Sequence, residues 1–384
     1  MIIGIICEYN PFHNGHLYHL KKIKEMYPNS ILVLVMSGNI TQRGDISIID
    51  KWNKTDIALH YGIDLVIELP FIYACNSSDM FCRGAISILK ELQVNKIVFG
   101  SEINSIDTLI SLANTQIYNP TYNIKVKEYV NDGLNYPTAC GKALSDITNI
   151  NIKTPNDILG LGYIKEILLQ KTNIEPICIK RTNDYHSLNL NQKISSASSI
   201  RKAIKENINI NKYVPDFTLK YLDDIKYLDD YFIFIKYKIL SSDIDNIYLM
   251  DNHIKRRIYK YIYLSNSKEE LINNIKSKNY TYNRIKRLLL YILIGIKKED
   301  ISNFKNYIRI LGFNKKGKDY LNRIKKEISL PIITNYSNSK GLLYLDNKVY
   351  SILSIILPLQ EQKKYIDKDL KEKIRINIDN DENI

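Results

Sequence analysis

Short apolar segments alternate with helix-forming segments through the first hundred residues, and this alternation limits the fold more than any other feature. The apolar segments are Ile2–Ile6, Ile31–Met36, Leu65–Leu69 and Ile97–Phe99. Strands that are apolar throughout are buried on both faces, as in parallel sheets covered by helices. The order of segments therefore predicts an α/β fold with a Rossmann-like, doubly wound parallel sheet.

Helices and a fifth strand complete this N-terminal pattern. Apolar residues at helical spacing and polar residues able to cap a helix place the helices between the strands. They are predicted from Gly15 to Met26, around Lys51–His60, from Ser77 or Ser78 to Leu92, and from about Asn156, before a strand at Pro176–Lys180.

After Ser199 the segments become rich in lysine and tyrosine, which predicts a mainly α-helical part without further strand–helix alternation. Its helices are predicted at Tyr227–Leu240, Asp251–Leu264, Lys268–Lys276, Tyr282–Ile296 and Asn314–Ile328. We also expect a small hairpin at Lys340–Tyr350 and a disordered end to the charged stretch Gln360–Ile384.

The net charge separates the same two parts. The chain carries 54 Lys and Arg against 41 Asp and Glu, a formal charge of +13. Residues 1–200 are balanced, with 18 of each sign, so the whole excess follows residue 200. A biased base composition would exchange Arg for Lys without concentrating charge in one half. The asymmetry indicates a catalytic module joined to a module that binds a polyanion such as RNA.

Cysteine usage and hydropathy indicate a cytoplasmic protein. The five cysteines are scattered and none forms a Cys-x-x-Cys pair, which argues against a disulfide framework or a structural zinc site. No apolar run is long enough to cross a membrane, and the N-terminus lacks the features of a signal peptide. We therefore expect no membrane association.

The sequence His13-Asn14-Gly15-His16 stands between the first predicted strand and the first helix. In a parallel sheet this junction lies where ligands bind, and the N–H groups of the helix N-terminus attract phosphate. His13 and His16 can then contact the α-phosphate of ATP and stabilise charge as pyrophosphate leaves. The alternatives are histidines that only cap the helix, or a zinc site extended by His19, for which no further ligand is evident.

The HxGH pattern resembles the HxGH nucleotidyltransferase superfamily, whose members attack the α-phosphate of ATP. A second motif of that superfamily is matched by Ile-Ser-Ser-Ala-Ser-Ser-Ile-Arg at Ile194–Arg201, which opens a predicted helix. The match implies that the hydroxyl groups, including that of Ser198, and the guanidinium of Arg201 hold the β- and γ-phosphates. By itself this segment would be better explained as a serine-rich helix cap.

The resemblance narrows to the tRNA(Met) cytidine acetate ligase family. It rests on Cys7–Leu20, Met36–Asp45, Val98–Glu102 and Leu311–Lys318, so it covers most of the chain. What it implies is activation of acetate by ATP to acetyl-adenylate, followed by acetylation of N4 of the wobble cytidine in elongator tRNA(Met).

The same resemblance implies the residues that contact ATP, which enters with Mg²⁺. They are Cys7, Glu8, Tyr9, Asn10, Pro11, Phe12, His13, Asn14, Gly15, His16, Leu17, Tyr18, His19, Leu20, Gly100, Asn156 and Arg181. From position alone, Gly100 ends a strand, Asn156 begins a helix and Arg181 follows the last strand, and each has an ordinary explanation as a turn, a cap or a surface charge.

Candidates for the acetate or cytosine pocket and for tRNA binding come from loops and basic clusters. Gln42, Arg43 and Asp45 follow the second strand and so lie beside the first loop, although an ordinary polar loop explains them equally well. The basic clusters expected to contact tRNA are Lys255, Arg256 and Arg257, and Lys315, Lys316 and Lys318.

Two glycine patterns are rejected as nucleotide motifs. Gly312–Lys318 has the spacing of a phosphate-binding loop, but Asp319 replaces the Ser or Thr that would bind magnesium, and the segment lies among predicted helices. We interpret it as a basic loop between helices. Gly160-Leu161-Gly162 lacks the rest of a dinucleotide-binding fingerprint.

The sequence thus predicts an ATP-binding catalytic domain at residues 1–210 and a basic helical tRNA-binding domain at residues 211–384. Two other functions remain open. A small-molecule adenylyltransferase would transfer AMP to a phosphorylated cofactor precursor but would not require the basic domain. A non-catalytic RNA-binding protein would not require both phosphate motifs.

Overall fold

A computed structural model describes residues 1–181, 195–222 and 225–377. Ile194, the first residue of the second predicted motif, and residues 378–384, where we expect disorder, lie outside the described residues. The strands are β1 (Ile2–Cys7), β2 (Ile31–Ser37), β3 (Leu65–Leu69), β4 (Lys96–Ser101), β5 (Glu175–Lys180), β6 (Ile308–Asn314), β7 (Ile332–Ile333) and β8 (Arg375–Asn377).

Helices connect and cover these strands. In the N-terminal half they are α1 (Asn14–Met26), α2 (Lys51–His60), α3 (Phe71–Ala74), α4 (Ser78–Glu91), α5 (Ile106–Tyr118), α6 (Pro120–Asn131), α7 (Tyr136–Thr148), α8 (Pro155–Leu169) and α9 (Ala197–Lys205). They continue as α10 (Asp216–Leu219), α11 (Phe232–Ser241), α12 (Asn252–Tyr261), α13 (Lys268–Ile275), α14 (Tyr282–Ile294), α15 (Lys298–Ser302), α16 (Lys315–Ile324), α17 (Tyr344–Leu353) and α18 (Leu359–Lys371).

The predicted parallel sheet is confirmed, and its strand order explains where a ligand can bind. The order in the described residues is β5-β4-β1-β2-β3-β6-β7, with β8 also paired to β6, and β1 to β5 are parallel neighbours. The chain runs from β1 outward to β3 and then returns to place β4 on the other side of β1. The carboxyl edge between β1 and β4 is therefore a topological switch point, the usual ligand site of such sheets.

All five N-terminal strands lie within two residues of their predicted bounds, because continuous apolar runs leave little choice. The helices begin where polar side chains satisfy free N–H groups. Asp50 accepts hydrogen bonds from two backbone amides at the start of α2, and Ser77 caps α4. Gly4 lets α4 approach β1 closely, since a Cβ there would lie 2.9 Å from Leu89.

The C-terminal half departs from the sequence-based expectation in three places. Ile308–Asn314 is strand β6, which pairs antiparallel with β3, so the sheet continues past residue 210. The interpretation of Gly312–Lys318 as a loop between helices is wrong, because Gly312 lies in β6 and α16 begins directly after the strand. The hairpin at Lys340–Tyr350 is also wrong, since α17 occupies most of that segment. The domain boundary at residue 210 stays a prediction.

The helical part packs against the carboxyl edge of the sheet. Its apolar core contains Ile285 and Leu288 of α14 together with Ile40 and Ile46, which follow β2, and Phe71, which follows β3. This packing places the helices at the carboxyl ends of β2 and β3, on the edge of the sheet at which the switch point also lies.

A buried square of charges joins the sheet to the C-terminal helix. Lys51 of α2 lies 2.8 Å from both Glu68 of β3 and Asp369 of α18, and Arg309 of β6 pairs with the same carboxylates at 3.2 and 2.9 Å. None of the four side chains is more than 4% exposed. Burial opposes ionisation, but Lys51 and Arg309 hold the pKa of Asp369 below its usual value.

We expect Asp369→Ala to lower the free energy of unfolding by about 3–5 kcal/mol, because it removes one of the two carboxylates that neutralise the buried Lys51 and Arg309. Urea denaturation followed by circular dichroism measures the change. The matched control is Asp367→Ala, which removes an ion pair with the exposed Lys371, and should change stability by less than about 1 kcal/mol. Equal effects of the two substitutions would contradict the role given to the square.

Candidate active site

A cleft opens at the switch point, between the carboxyl ends of β1, β4 and β5. Its walls include Cys7, His13, Gly15, His16, Tyr18, His19, Gly100, Asn156 and Arg181, nine of the residues expected to contact ATP. Parallel pairing of β1 with β4 and of β4 with β5 brings these distant segments together.

The loop between β1 and α1 is held in place from below by aromatic packing. Tyr9 and Phe12 are buried, their rings meet edge to face at 4.8 Å, and Phe12 stacks on Tyr61 at 4.9 Å. The side-chain oxygen of Asn10 accepts a hydrogen bond from the backbone N–H of Ile48 at 2.8 Å. The loop that carries the two histidines is therefore anchored before any ligand arrives.

His13 and His16 form a reciprocal cap at the start of α1. The Nδ1 atom of His13 accepts from the N–H of Gly15 at 3.0 Å, and Nδ1 of His16 accepts from the N–H of His13 at 3.3 Å. The two histidines therefore do cap the helix, and both rings also line the cleft. A neutral ring whose Nδ1 accepts a hydrogen bond carries its proton on Nε2, so each ring can donate an Nε2–H.

Both rings are held in the neutral form. Burial, followed by the charges of Arg181 and Arg201, lowers the pKa of His13 to about 3. Burial and the neighbouring His13 lower the pKa of His16 well below its usual value. Burial and Arg181 lower the pKa of His19 to about 4. At neutral pH the pair can donate hydrogen bonds to an anion without adding charge of its own.

The second motif meets the first one. The guanidinium of Arg201 donates to the backbone carbonyl of Asn10 at 2.7 Å and to the hydroxyl of Ser198 at 3.3 Å. Ser196 caps α9 through the N–H of Ser199, so the cap alternative also holds for this segment. The structure places the N-terminus of α9 and the Arg201 side chain beside the histidine loop.

The opposite wall of the cleft is built on Glu102. Its carboxylate accepts from the side-chain amide of Asn156 at 2.7 Å and lies 3.4 Å from Nε of Arg181. Arg181 also covers Gly100, where an added Cβ would lie 3.1 Å from its Cγ. Gly100, Asn156 and Arg181, which the resemblance implies as ATP contacts, are therefore neighbours.

Asp157 was not identified from the sequence, and its hydrogen bonds hold this wall in place. Its buried carboxylate accepts from the hydroxyl groups of Ser101 and Thr154, both at 2.5 Å, and from the N–H of Glu102 at 3.0 Å. An acidic residue in the first turn of a helix is an ordinary pattern, so the sequence offered no specific signal. The cleft also has apolar walls that were not predicted: Ile6, Val98, Phe99, Leu159, Tyr163 and Ile179.

Part of the predicted ATP-contact segment faces elsewhere. The side chains of Tyr9, Phe12 and Leu20 are in the core. Glu8 accepts from the N–H of Gln42 at 2.6 Å, and Asn14 donates to the carbonyl of Lys212 at 2.9 Å. Asn14 and Leu17 line a separate surface groove, and Pro11 is buried beside Asn10 in the loop. Contact of these residues with ATP stays a prediction.

The loop expected to bind acetate or cytosine is tied to the helical part. Asp45 forms an ion pair with Lys286 of α14 at 2.7 Å, and the carbonyl of Gln42 accepts from Arg287 at 3.4 Å. The side chain of Gln42 donates to the carbonyl of Asn76 at 2.5 Å. Arg43 lies in the same turn, at residues 41–44. None of these three residues lines the cleft of the histidines, but their loop follows β2 and so leaves the sheet at the same carboxyl edge.

The two basic clusters lie in different surroundings. On α12, Arg256 is exposed and Lys255 pairs with Asp245, whereas Arg257 donates to three carbonyls at the end of α13 and so has a structural role. The second cluster begins α16 next to Asp64, at the amino edge of β3. Lys315, Lys316 and Lys318 are exposed there, about 20 Å from the carboxyl edge for a strand of five or six residues.

Neither a metal cluster nor a membrane span is found where the chain is described. No group of three or more His, Cys, Asp or Glu side chains is arranged to hold a metal ion in residues 1–181, 195–222 and 225–377. None of the helices in these ranges is both long enough and apolar enough to cross a bilayer.

The geometry agrees with comparisons to known proteins. A family model described as HIGH Nucleotidyl Transferase matches residues 1–369. The tRNA(Met) cytidine acetate ligase of a Thermoanaerobacter species is 41% identical over 368 residues, covering 89% of this chain and 90% of that protein. This chain belongs to the same ligase family. The family resemblance inferred from the motifs is thereby confirmed.

Solved structures of the ligase family share the whole fold. The apo crystal structure of Thermotoga maritima TmcAL has a TM-score of 0.89 at 29% identity, with 98% of this chain and 99% of that chain covered. A second crystal form of the same protein, bound with alpha-thio ATP, has a TM-score of 0.87.

We expect His13, whose pKa is lowered to about 3, and His16, whose pKa lies well below its usual value, to stay neutral with the proton on Nε2 well below pH 6.5 in the folded chain. The unfolded chain takes up protons on these rings below about pH 6.5, so their burial makes stability fall as the pH falls below that value. Nitrogen-15 NMR of labelled histidine reports both the tautomer and the titration.

The control is the same labelled chain in urea, in which the histidines should titrate near pH 6.5. A titration midpoint between about 6 and 7 for either ring in the folded chain would contradict the proposed environment.

Proposed function

We propose that this chain uses ATP and acetate to form acetyl-adenylate and transfers the acetyl group to N4 of the wobble cytidine of elongator tRNA(Met). The observation that carries the proposal is the contact of Arg201, from the second motif, with the loop whose histidines line the cleft, in a chain of the ligase family. The binding of alpha-thio ATP by Thermotoga maritima TmcAL, whose fold is shared, supports ATP as the nucleotide.

The chemistry explains why ATP is required. Acetate is a poor acyl donor, and the cytosine amine is a weak nucleophile because its lone pair is delocalised into the ring. Attack of the acetate carboxylate on the α-phosphate forms a mixed anhydride and releases pyrophosphate. The cytidine N4 amine then attacks the acetyl carbonyl, AMP leaves, and one proton of the amine is lost. The protein mainly positions these partners and stabilises developing charge.

Each part of the cleft has a role in this proposal. The Nε2–H groups of His13 and His16 donate to the α-phosphate, where negative charge increases as acetate attacks. Ser198 and Arg201 hold the β- and γ-phosphates, and Mg²⁺ enters with ATP, bound to its phosphates. Gly100, Asn156 and Arg181 contact the rest of the nucleotide, with Glu102 and Asp157 keeping that wall in place.

Acetate and the cytosine base approach from the side of Gln42, Arg43 and Asp45. This loop borders the carboxyl edge, and its ion pair with Lys286 joins it to the basic helical part. A base in the anticodon loop is single-stranded, so it can leave its stack at low cost. Phosphate contacts on the helical part would set the reach of the tRNA, and the pocket would read the base.

The adenylyltransferase alternative requires a phosphorylated co-substrate in place of acetate. Pyrophosphate exchange separates the two functions, because exchange should depend on acetate for the ligase and on the phosphorylated precursor for the transferase. A non-catalytic RNA-binding protein would support neither reaction.

We expect His16→Ala to reduce acetate-dependent pyrophosphate exchange by about a hundredfold or more, as for loss of one preorganised donor to a transition state. Exchange of labelled pyrophosphate into ATP measures the effect, and a thermal melt shows that the variant is folded. His253→Ala, an exposed histidine on α12, is the matched control and should exchange at the wild-type rate. Wild-type exchange in folded His16→Ala would refute the assignment.

The position of the helical part predicts which basic cluster binds tRNA more strongly. Arg256→Glu with Lys260→Glu on α12 should weaken tRNA binding and flatten its salt dependence, because phosphate contacts are lost. Lys315→Glu with Lys318→Glu makes the same charge change at the amino edge and should have a smaller effect. Filter binding at several salt concentrations measures both, with exchange in the absence of tRNA as the check on folding. A larger loss of tRNA affinity from the α16 substitutions would contradict docking of the tRNA on the side of α12.

A further inference from the structure

Helix α2 carries two fully buried lysines one turn apart, and they have different partners. Lys51 and Lys54 are each 0% exposed. Lys51 belongs to the square of charges with Glu68, Asp369 and Arg309. The ammonium of Lys54 instead donates to three backbone carbonyls: Glu8 at 3.0 Å, Ser37 at 2.7 Å and Gly38 at 2.7 Å.

These three carbonyls mark the points where two loops leave the sheet. Glu8 follows the last residue of β1, Ser37 is the last residue of β2, and the two strands are paired in register up to Cys7 and Met36. The first loop continues to His13 and His16, and the second continues to Gln42 and Asp45. Lys54 is thus bonded to the start of both loops. We call the loop that leads to His13 and His16 the nucleotide loop, and the loop that leads to Gln42 and Asp45 the acceptor loop.

Burying an ammonium costs free energy unless each of its N–H groups finds a partner. Lys54 meets that condition with three carbonyl oxygens, one for each proton. Burial lowers the pKa of Lys54 to about 8, while the carboxylates of Glu8, Glu68 and Asp50 act in the opposite direction and Lys51 adds to the lowering. A neutral amine has one proton fewer and could not satisfy all three carbonyls at once.

We infer that Lys54 is a positioning residue of the acetylation reaction, because its three hydrogen bonds fix the nucleotide loop and the acceptor loop relative to each other. This inference rests on the proposed function for the meaning of the second loop. Lys54 does not touch the cleft, so it acts through the loops and not on the reacting atoms. The competing explanation is a lysine that only stabilises the core.

Three variants separate the two explanations. Lys54→Met keeps the length of the side chain and removes its donors, and Lys54→Arg keeps donors and charge. Lys51→Met is the matched control, because it removes an equally buried ammonium whose partners lie on β3 and α18 and not in either loop. Thermal melts identify the temperature at which each variant is folded, and all assays are made below it.

In folded Lys54→Met we expect the Kd of ATP, measured by calorimetry, to rise by about fivefold or more, and kcat for acetyl transfer to fall by on the order of a hundredfold, as for a displacement of about 1 Å between reacting groups. Lys54→Arg should recover at least about tenfold of the lost kcat, because its guanidinium can donate to the same carbonyls. Lys51→Met should lose stability and yet keep the ATP affinity and kcat within about threefold of wild type.

Values of Kd and kcat both within about twofold of wild type in folded Lys54→Met would overturn the inference. Equal losses of kcat in Lys54→Met and Lys51→Met would also overturn it, because they would show a general effect of stability. If Lys54→Met does not fold, Lys54→Gln decides. Its amide has two N–H donors on a shorter, uncharged side chain and cannot bond all three carbonyls, so a wild-type kcat in that variant refutes a positioning role.

The same assays distinguish failure of the inference from failure of the proposed function. If wild-type protein binds ATP but acetylates no tRNA, the proposed function fails, and the ATP affinity of Lys54→Met still tests whether Lys54 fixes the nucleotide loop. If wild-type protein is active and Lys54→Met matches it, only the inference fails.

Discussion

Parallel pairing of β1 with β2 on one side and with β4 on the other is the constraint on which the rest of the site depends. It aligns the ends of three strands, so the histidine loop, the Met36–Asp45 loop and the Glu102 wall all leave the sheet at one edge. The reversal of strand order between β1 and β4 opens the space in which a nucleotide can lie. Arg201 bonds the α9 motif to the histidine loop at that edge, and Lys286 bonds the helical part to the Met36–Asp45 loop.

Local hydrogen bonds turn this edge into a chemical site. The reciprocal cap of His13 and His16 uses both Nδ1 atoms, which leaves each neutral ring able to donate an Nε2–H. A neutral pair avoids the repulsion that two adjacent imidazolium ions would have. Arg181 and Arg201 bring positive charge near the histidines from other segments of the chain, and this charge adds to burial in lowering the pKa of His13. The cap and the proposed catalytic role of the two histidines are therefore two consequences of one arrangement.

The sequence predicts those parts of the structure that depend on local patterns of apolar and polar residues. Strands such as Ile31–Ser37 are continuous apolar runs, and the first motif lies at a strand–helix junction that sequence alone identifies. Strand β6 escaped prediction because Arg309 interrupts its apolar run, and that arginine is buried only because Glu68 and Asp369 arrive from distant segments. Charge alone also could not show that Arg257 bonds backbone carbonyls or that Lys315 lies at the amino edge. Lys51 and Lys54 are fully buried, which nothing in the local sequence indicates.

The central claim, acetyl transfer to a cytosine amine at this cleft, is tested most directly by nucleoside mass spectrometry of an unmodified elongator tRNA(Met) transcript after incubation with the protein, ATP and labelled acetate. The account predicts one labelled acetyl group per tRNA, recovered as N4-acetylcytidine, and none on a transcript with uridine at the wobble position. Equal labelling of the uridine transcript, or label released as an ester from the 3′ end, would contradict it.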